Sequence, residues 1–547
     1  MKTLAADYWA ALLDHEPSEG HALGRMEYAG RFERASGESE DAFLVVLRGL
    51  LARLEAVDEQ DLEHQDRVTR DFLLSDARRR IDLTQARLTD FAVDSSWGAQ
   101  AILGVEAGMF GVPNAEVAAA MVDKVEAIGS YFVEFAERQR EGLAAGRVAP
   151  SFSVTGTLEQ LDELLATPAA ENPAIAPLKA PGDVDEQSWR ADLAQAVTAH
   201  LLPGLATYAA VLREEILPAA RPDDQVGLCH VPGGEEAYAA TLRYHTTTTL
   251  TAAEIHQLGL DTVAALSEEY RSLAPEVVGT DDLAEIFRLM REDPALHYSD
   301  GEEVFRHSKE ALARAWAAIP DWFETLPQAP CEVQPVESSL QAFYFPPAAD
   351  GTRPGTFFID ISDPPSWGRY ELEALAFHEA VPGHHLQIAI ASELPDDIPD
   401  VRKHAGPTAY VEGWGLYSER LSDDMGLYTS PLARMGMLAM DSMRACRLVV
   451  DTGIHALGWS REQAVQYMLD NSPMSEGWIR PEVNRYVLMP GQATSYMVGR
   501  MEIQRLRREA EERLGDAFDI KQFHTAILGQ GGLPMDLLER EVRAALA

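Results

Sequence analysis

Cysteine is scarce in this chain: three residues, Cys229, Cys331 and Cys446, in 547. An odd number so widely spaced excludes a disulfide framework and makes a reducing cytoplasm the expected location. Long apolar runs are also missing. No stretch of about 18 apolar residues occurs, so no helix is expected to span a bilayer. The first segment, MKTLAADYWAALLDHEP, lacks the apolar stretch and small-residue cleavage site of a secretory signal. Basic residues are the third shortage. Lys and Arg number 46 against 88 Asp and Glu, a formal net charge of −42. A surface this acidic repels phosphate backbones and anionic lipid, so neither nucleic acid nor membrane is an expected partner.

Strand signals are few. The best are Leu242–Leu250, Cys331–Val336 and Gly355–Ile361, rich in β-branched or aromatic residues and bounded by turn residues. Helical periodicity dominates instead. After Asn114, a plausible N-cap, Val117, Met121, Val125, Ile128, Phe132 and Phe135 recur at steps of three and four. Similar patterns run near 41–58, 187–215, 302–318, 431–457 and 496–515, and Thr251-Ala-Ala-Glu254 is a capping box. Four prolines between Ala166 and Val184 mark a loop or linker. The expected organisation is an N-terminal helical region (1–165), the Pro-rich segment (166–186) and a catalytic region (187–547), or one continuous helical unit. The fold class expected is mainly α with a small β-sheet.

Chemistry concentrates in ELEALAFHEAVPGHHLQ (371–387). The HExxH pattern of zinc-peptidase helices is absent, because Pro382 stands where the second histidine would be. On an ideal helix His384 is rotated by about 240° from His378, and His385 lies ~10 Å further along the axis. Neither can share a zinc ion with His378 across an undistorted helix, whose ligands bind at about 2 Å. Pro382 removes a helical N–H and Gly383 relaxes the backbone, so a bulge or kink there can swing His384 beside His378. Downstream, AYVEGWGLYSERL places Glu412 and Glu419 seven residues apart on one helical face. Two histidines, one glutamate and the extra carboxylate of Glu379 form the set a catalytic zinc needs: three ligands, an open position and a base.

Four blocks in order, HEAVPGHHLQ, EGWGLYSE, VVDTGIHALGW (449–459) and MPGQATSYMVG (489–499), resemble the bacterial family catalogued as domain of unknown function 885. YHTTTTLTAAEIHQLGL (244–260) fits it too. That family is regarded as zincin-like metallopeptidases, similar in helical character to the thimet oligopeptidase, angiotensin-converting enzyme and carboxypeptidase Taq group. The resemblance implies a helix-rich, zincin-like fold of gluzincin type with a deep cleft. It further implies His378, His384 and Glu412 as metal ligands and Glu379 as general base.

Two more readings follow from spacing. Asp451 and His455 are four apart on a predicted helix, where the carboxylate can orient the imidazole and favour its protonated form as an oxyanion donor. Pro490 suits a helix's first turn, which puts Gln492, Tyr496 and Arg500 on one face, with the Tyr496 phenol as a second oxyanion donor. Arg444, Arg480 and Arg485 are candidate acceptors of a substrate carboxylate. GTFFIDI, about ten residues before the metal helix, is expected as an edge strand that pairs with extended substrate, with Tyr344 and Arg353 lining the cleft. The function expected is zinc-dependent hydrolysis of short peptides in the cytoplasm. The alternatives are a metal-dependent amidase acting on a non-peptide substrate and a non-catalytic peptide-binding protein.

Overall fold

Asn114 does cap its helix: its side-chain oxygen accepts the Val117 N–H at 3.0 Å, and α1 runs Ala115–Ala144 with Val117, Met121, Val125, Ile128, Phe132 and Phe135 buried. The computed structural model, which describes residues 1–336, 341–347 and 353–547, is mainly helical throughout. The elements that build the site are α2 (Gly234–Thr246), α3 (Ala252–Val277), α4 (Glu371–Glu379), α5 (His384–Ser392), α6 (Thr408–Asp424), α7 (Pro431–His455), α8 (Glu476–Leu488) and α9 (Ser495–Leu514). At the start of α3 the Thr251 capping box forms in full. No helix among the described residues is long and apolar enough to cross a membrane.

Leu242–Leu250 is not a strand. Its first half ends α2, where Thr246 Oγ1 donates back to the Leu242 carbonyl and Thr247 closes the helix with φ = 54°. The β-branched run carries strand propensity, but threonine hydroxyls bonding to nearby backbone serve a helix terminus equally well. The other two strands form as expected. β1 (Cys331–Val336) and β3 (Gly355–Asp360) pair in parallel, and a further strand, β2 (Ala342–Phe345), pairs antiparallel with β3. The sheet order β1-β3-β2 puts β3 in the middle. Both its backbone edges are therefore taken, and the expectation that GTFFIDI is a free edge for substrate is wrong. Burial agrees, since Phe357 and Ile359 have no exposed surface.

The Pro-rich segment does not separate two cores. Ile175 and Leu178 are buried in the same apolar cluster as α1 and the helices that follow, up to Ile216. The first helices do not stand apart either: Tyr8, Leu47, Phe72 and Leu73 share a cluster with Phe377, Leu386, Trp414 and Leu538. The first helices and the C-terminal part of the chain are thus joined through one core.

At the centre lies α7, buried along nearly its whole length, with α3 packed against it. Beside it α6 and α9 approach unusually closely. A Cβ on Gly413 would come within 2.5 Å of the Gly499 backbone, and one on Gly499 within 1.9 Å of the Ala409 carbonyl. Only glycine fits at either position without moving backbone. Gly499→Ala is therefore expected to lower stability by roughly 1–3 kcal/mol, the usual cost of overpacking, seen as a lower urea midpoint at unchanged slope. An unchanged midpoint would show that the two helices separate freely.

Candidate metal centre

The helix begun at Glu371 stops at Glu379, and a new one starts at His384. Between them Ala380, Val381, Pro382 and Gly383 turn the chain, with a cis bond at Val381–Pro382. The interruption is larger than a kink. It has the effect the spacing called for: the His378 and His384 rings lie 4.7 Å apart between centroids, nearly perpendicular at 82°. A Cβ on Gly383 would strike the His378 carbonyl at 1.8 Å, so the turn closes only without one.

α6 supplies the rest from one face. Glu412 Oε2 sits 3.7 Å from His378 Nε2 and 3.4 Å from His384 Nε2. Trp414 Nε1 donates to the Pro382 carbonyl at 2.9 Å and pins the turn. Ser418 Oγ donates to the Phe377 carbonyl at 3.0 Å. Glu419, fully buried, accepts from His378 Nδ1 at 2.8 Å, which leaves Nε2 facing Glu412. Arg444 of α7 approaches Glu419 at 3.5 Å from behind. Gly415 leaves the space in which the rings meet, since a Cβ there would lie 2.7 Å from His378 Cε1 and 3.0 Å from His384 Cε1.

The donor set fits a zinc ion. Ligands bound tetrahedrally at about 2.1 Å lie about 3.4 Å from one another, close to the separations of the two imidazole nitrogens from Glu412. Candidate ligand atoms of His378, His384 and Glu412 all lie within 4.8 Å of each other, and no other set of three or more His, Cys, Asp or Glu is so gathered among the described residues. The carboxylate of Glu419 behind His378 is the outer partner that fixes an imidazole's tautomer and strengthens it as a ligand.

Electrostatics follow from this crowding. Burial opposes it, but hydrogen bonds to His378 and His384 hold the Glu412 carboxyl far below the ordinary range. Burial also opposes protonation of His378, yet Glu412 and Glu419 together raise it to about 9. Glu379 shifts the other way: burial pushes its carboxyl up, and the neighbouring histidines only partly offset this.

His385 is committed elsewhere. Its Nδ1 accepts from the Tyr344 hydroxyl at 2.9 Å and its Nε2 donates to the Ala329 carbonyl at 3.0 Å. Burial holds this ring down to about 4, hence neutral. Tyr344 thus ties β2 to α5, and Arg353 is exposed.

His455 does not join the cluster. Its Nδ1 accepts the Leu228 N–H at 3.2 Å and its Nε2 donates to the Tyr486 carbonyl at 3.0 Å, so neither nitrogen is left for substrate. Burial lowers it to about 4, the reverse of the protonated state expected. Asp451, its expected partner, instead accepts from Tyr238 at 2.6 Å and from the Gly491 N–H at 3.1 Å.

Tyr496 does come to the site. Its ring stacks on His378 at 6.4 Å, and burial together with the Glu412 charge pushes its phenol up. Pro490 lies ahead of the helix and not in its first turn. Gly491 (φ = 82°) and a 3₁₀ turn at Gln492–Thr494 intervene before α9 begins. Of the three arginines considered, Arg444 backs Glu419, while Arg480 is taken up by Glu462 and Glu476 and Arg485 by Glu482 and Gln492. Arg447, one turn beyond Arg444 and overlooked in the sequence, lies against Tyr496.

Glu419→Gln is expected to weaken zinc binding about 10- to 100-fold, the range for loss of an outer carboxylate. His378→Ala, His384→Ala and Glu412→Ala should each lower it further, and His385→Ala should leave it within a few-fold. Competition against a chromogenic chelator measures each. If His385→Ala loses zinc as severely as His384→Ala, the ligand assignment is wrong.

The fold recurs among known proteins. A chain from Colwellia psychrerythraea described as a "putative lipoprotein" superposes with a TM-score of 0.92 at 25% identity, covering 100% of this chain and 98% of that one. Another, a "putative lipoprotein of unknown function" from Shewanella oneidensis, shares the fold with a TM-score of 0.76 at 17% identity, covering 98% of each. No curated protein matches. The model of the bacterial proteins of unknown function termed DUF885 matches residues 17–542, and the chain belongs to that family.

Proposed function

We propose that the protein is a zinc-dependent peptidase that hydrolyses short peptides. The observation that carries this reading is the convergence of His378, His384 and Glu412 with the Glu379 carboxylate on the residue next to the first ligand. A structural zinc site is closed by a fourth protein ligand, whereas three ligands and an adjacent acid suit catalysis. Solvent access supports it as well: the Glu412 side chain keeps 19% of its surface exposed beside a His378 with 2%. On this reading the fold is zincin-like, of gluzincin type, and the site lies in a cleft.

Zinc, when bound, polarises a carbonyl oxygen and makes a water acidic near neutral pH. The chain's own residues do the rest. Glu379 takes the proton of the attacking water on its carboxylate and returns it to the departing amine. Tyr496 donates its hydroxyl to the oxygen on which charge develops, a contact worth roughly 3 kcal/mol in the transition state. Glu419 holds His378 in register while this happens.

Elemental analysis is expected to give one equivalent of zinc, and a peptide library followed by mass spectrometry should show cleavage that a chelator abolishes. Glu379→Gln should keep the metal and lose turnover by about 10²–10⁴-fold. Full activity in that variant would remove Glu379 from the mechanism. Tyr496→Phe should lower kcat about 10²–10³-fold with KM little changed. A loss of stability at normal kcat would show that Tyr496 is only a packing residue.

A further inference from the structure

The ring of Tyr496 is shared. His378 stacks on it, and the guanidinium carbon of Arg447 lies 4.4 Å from its centroid. Arg447 comes from α7, its side chain only 6% exposed. Its Nε donates to the Tyr486 hydroxyl at 2.9 Å and its Nη2 to Glu482 at 2.8 Å. The remaining nitrogen, Nη1, is buried without a partner among the described residues.

The carboxylate hydrogen-bonded to Arg447 is shared. Glu482 is the single carboxylate between two guanidiniums, since Arg485 also donates to it through Nε and Nη2 and gives Nη1 to Gln492. Two guanidiniums thus share one hydrogen-bonded carboxylate beside the metal cluster, in a molecule whose net charge is −42. An anionic substrate approaching so acidic a protein needs such a locally held cation. Arginine suits the task because its planar fork receives a carboxylate directionally. The two ring spacings together place the guanidinium within about three residues of extended chain, at ~3.4 Å each, from His378.

We propose that Arg447 receives the terminal carboxylate of the peptide, so that the enzyme cuts near the C-terminal end of short substrates. This rests on the peptidase reading and adds end specificity to it. Arg444 also has an unpartnered buried Nε, but it lies behind Glu419 and not against Tyr496.

The test uses three otherwise identical short peptides: one with a free C-terminal carboxylate, one with a C-terminal amide, and one amide ending in Glu. The zinc-loaded protein is expected to favour the free acid about 10- to 100-fold in kcat/KM, as suits a charge-assisted bond. Arg447→Met should bring the acid-to-amide ratio toward one, and Arg447→Lys should restore part of it, which mere repair of packing would not do. Calorimetric binding of the same peptides to zinc-loaded Glu379→Gln reads the preference without turnover. Equal handling of acid and amide by the unaltered protein overturns the inference while cleavage upholds the peptidase reading. Preference for the Glu-ended amide over the free acid, or a ratio unchanged in Arg447→Met, overturns it as well. Binding that favours the acid in a protein that cleaves none of the three keeps Arg447 as a carboxylate receptor and rejects the peptidase.

Discussion

Six residues along an unbroken helix, a side chain points about 240° away from the first. Ending α4 at Glu379 and beginning α5 at His384 removes that conflict, and nearly everything else in the site serves the break. Trp414 holds the carbonyl of Pro382, Ser418 holds that of Phe377, and Gly415 clears room for both rings. The motif EGWGLYSE therefore fits Trp414, Gly415 and Ser418 to one turn. Its first glutamate completes the cluster with His378 and His384, and its last orients His378.

The close contact of α6 and α9 at Gly413 and Gly499 has a second effect. It brings the first turn of α9, and with it Tyr496, alongside the face that carries Glu412. Asp451 steadies the approach to that turn by receiving the Gly491 N–H. What reads in sequence as an acid paired with His455 is thus a clamp on the loop that delivers a tyrosine.

The helical frame, and the candidacy of the two histidines and Glu412, could be read from residue types and spacing. The choice of His384 came from the family resemblance, and the structure gathers the side chains of His378, His384 and Glu412 within 4.8 Å. Asn114, the Thr251 box and the strands at 331 and 355 declared themselves too, each being settled by its neighbours in the chain. The misreadings came where distant segments decide. Nothing near His455 foretells that Leu228 and Tyr486 will occupy its nitrogens. Nothing in GTFFIDI foretells strands on both sides. Threonines 246–248 favour a strand by propensity, yet the hydroxyls of Thr246 and Thr248 meet at a helix end and that of Thr247 accepts the distant Met535 N–H. Arg447 could not be singled out from other helical arginines until Tyr496 lay against it.

The two committed imidazoles, His385 and His455, give the fold a particular response to acid. Both titrate at about 4 instead of the ordinary 6.5, because burial penalises their charged form. The unfolded chain therefore takes up these protons first. Each ring withdraws stability as pH falls from about 6.5 toward 4, below which its contribution to the loss is complete. Protonating either also removes a hydrogen-bond acceptor, for Tyr344 in one case and for the Leu228 backbone in the other. Mild acid, which relieves repulsion on so anionic a surface, thus loosens the sheet from α5 and the end of α7 from its surroundings.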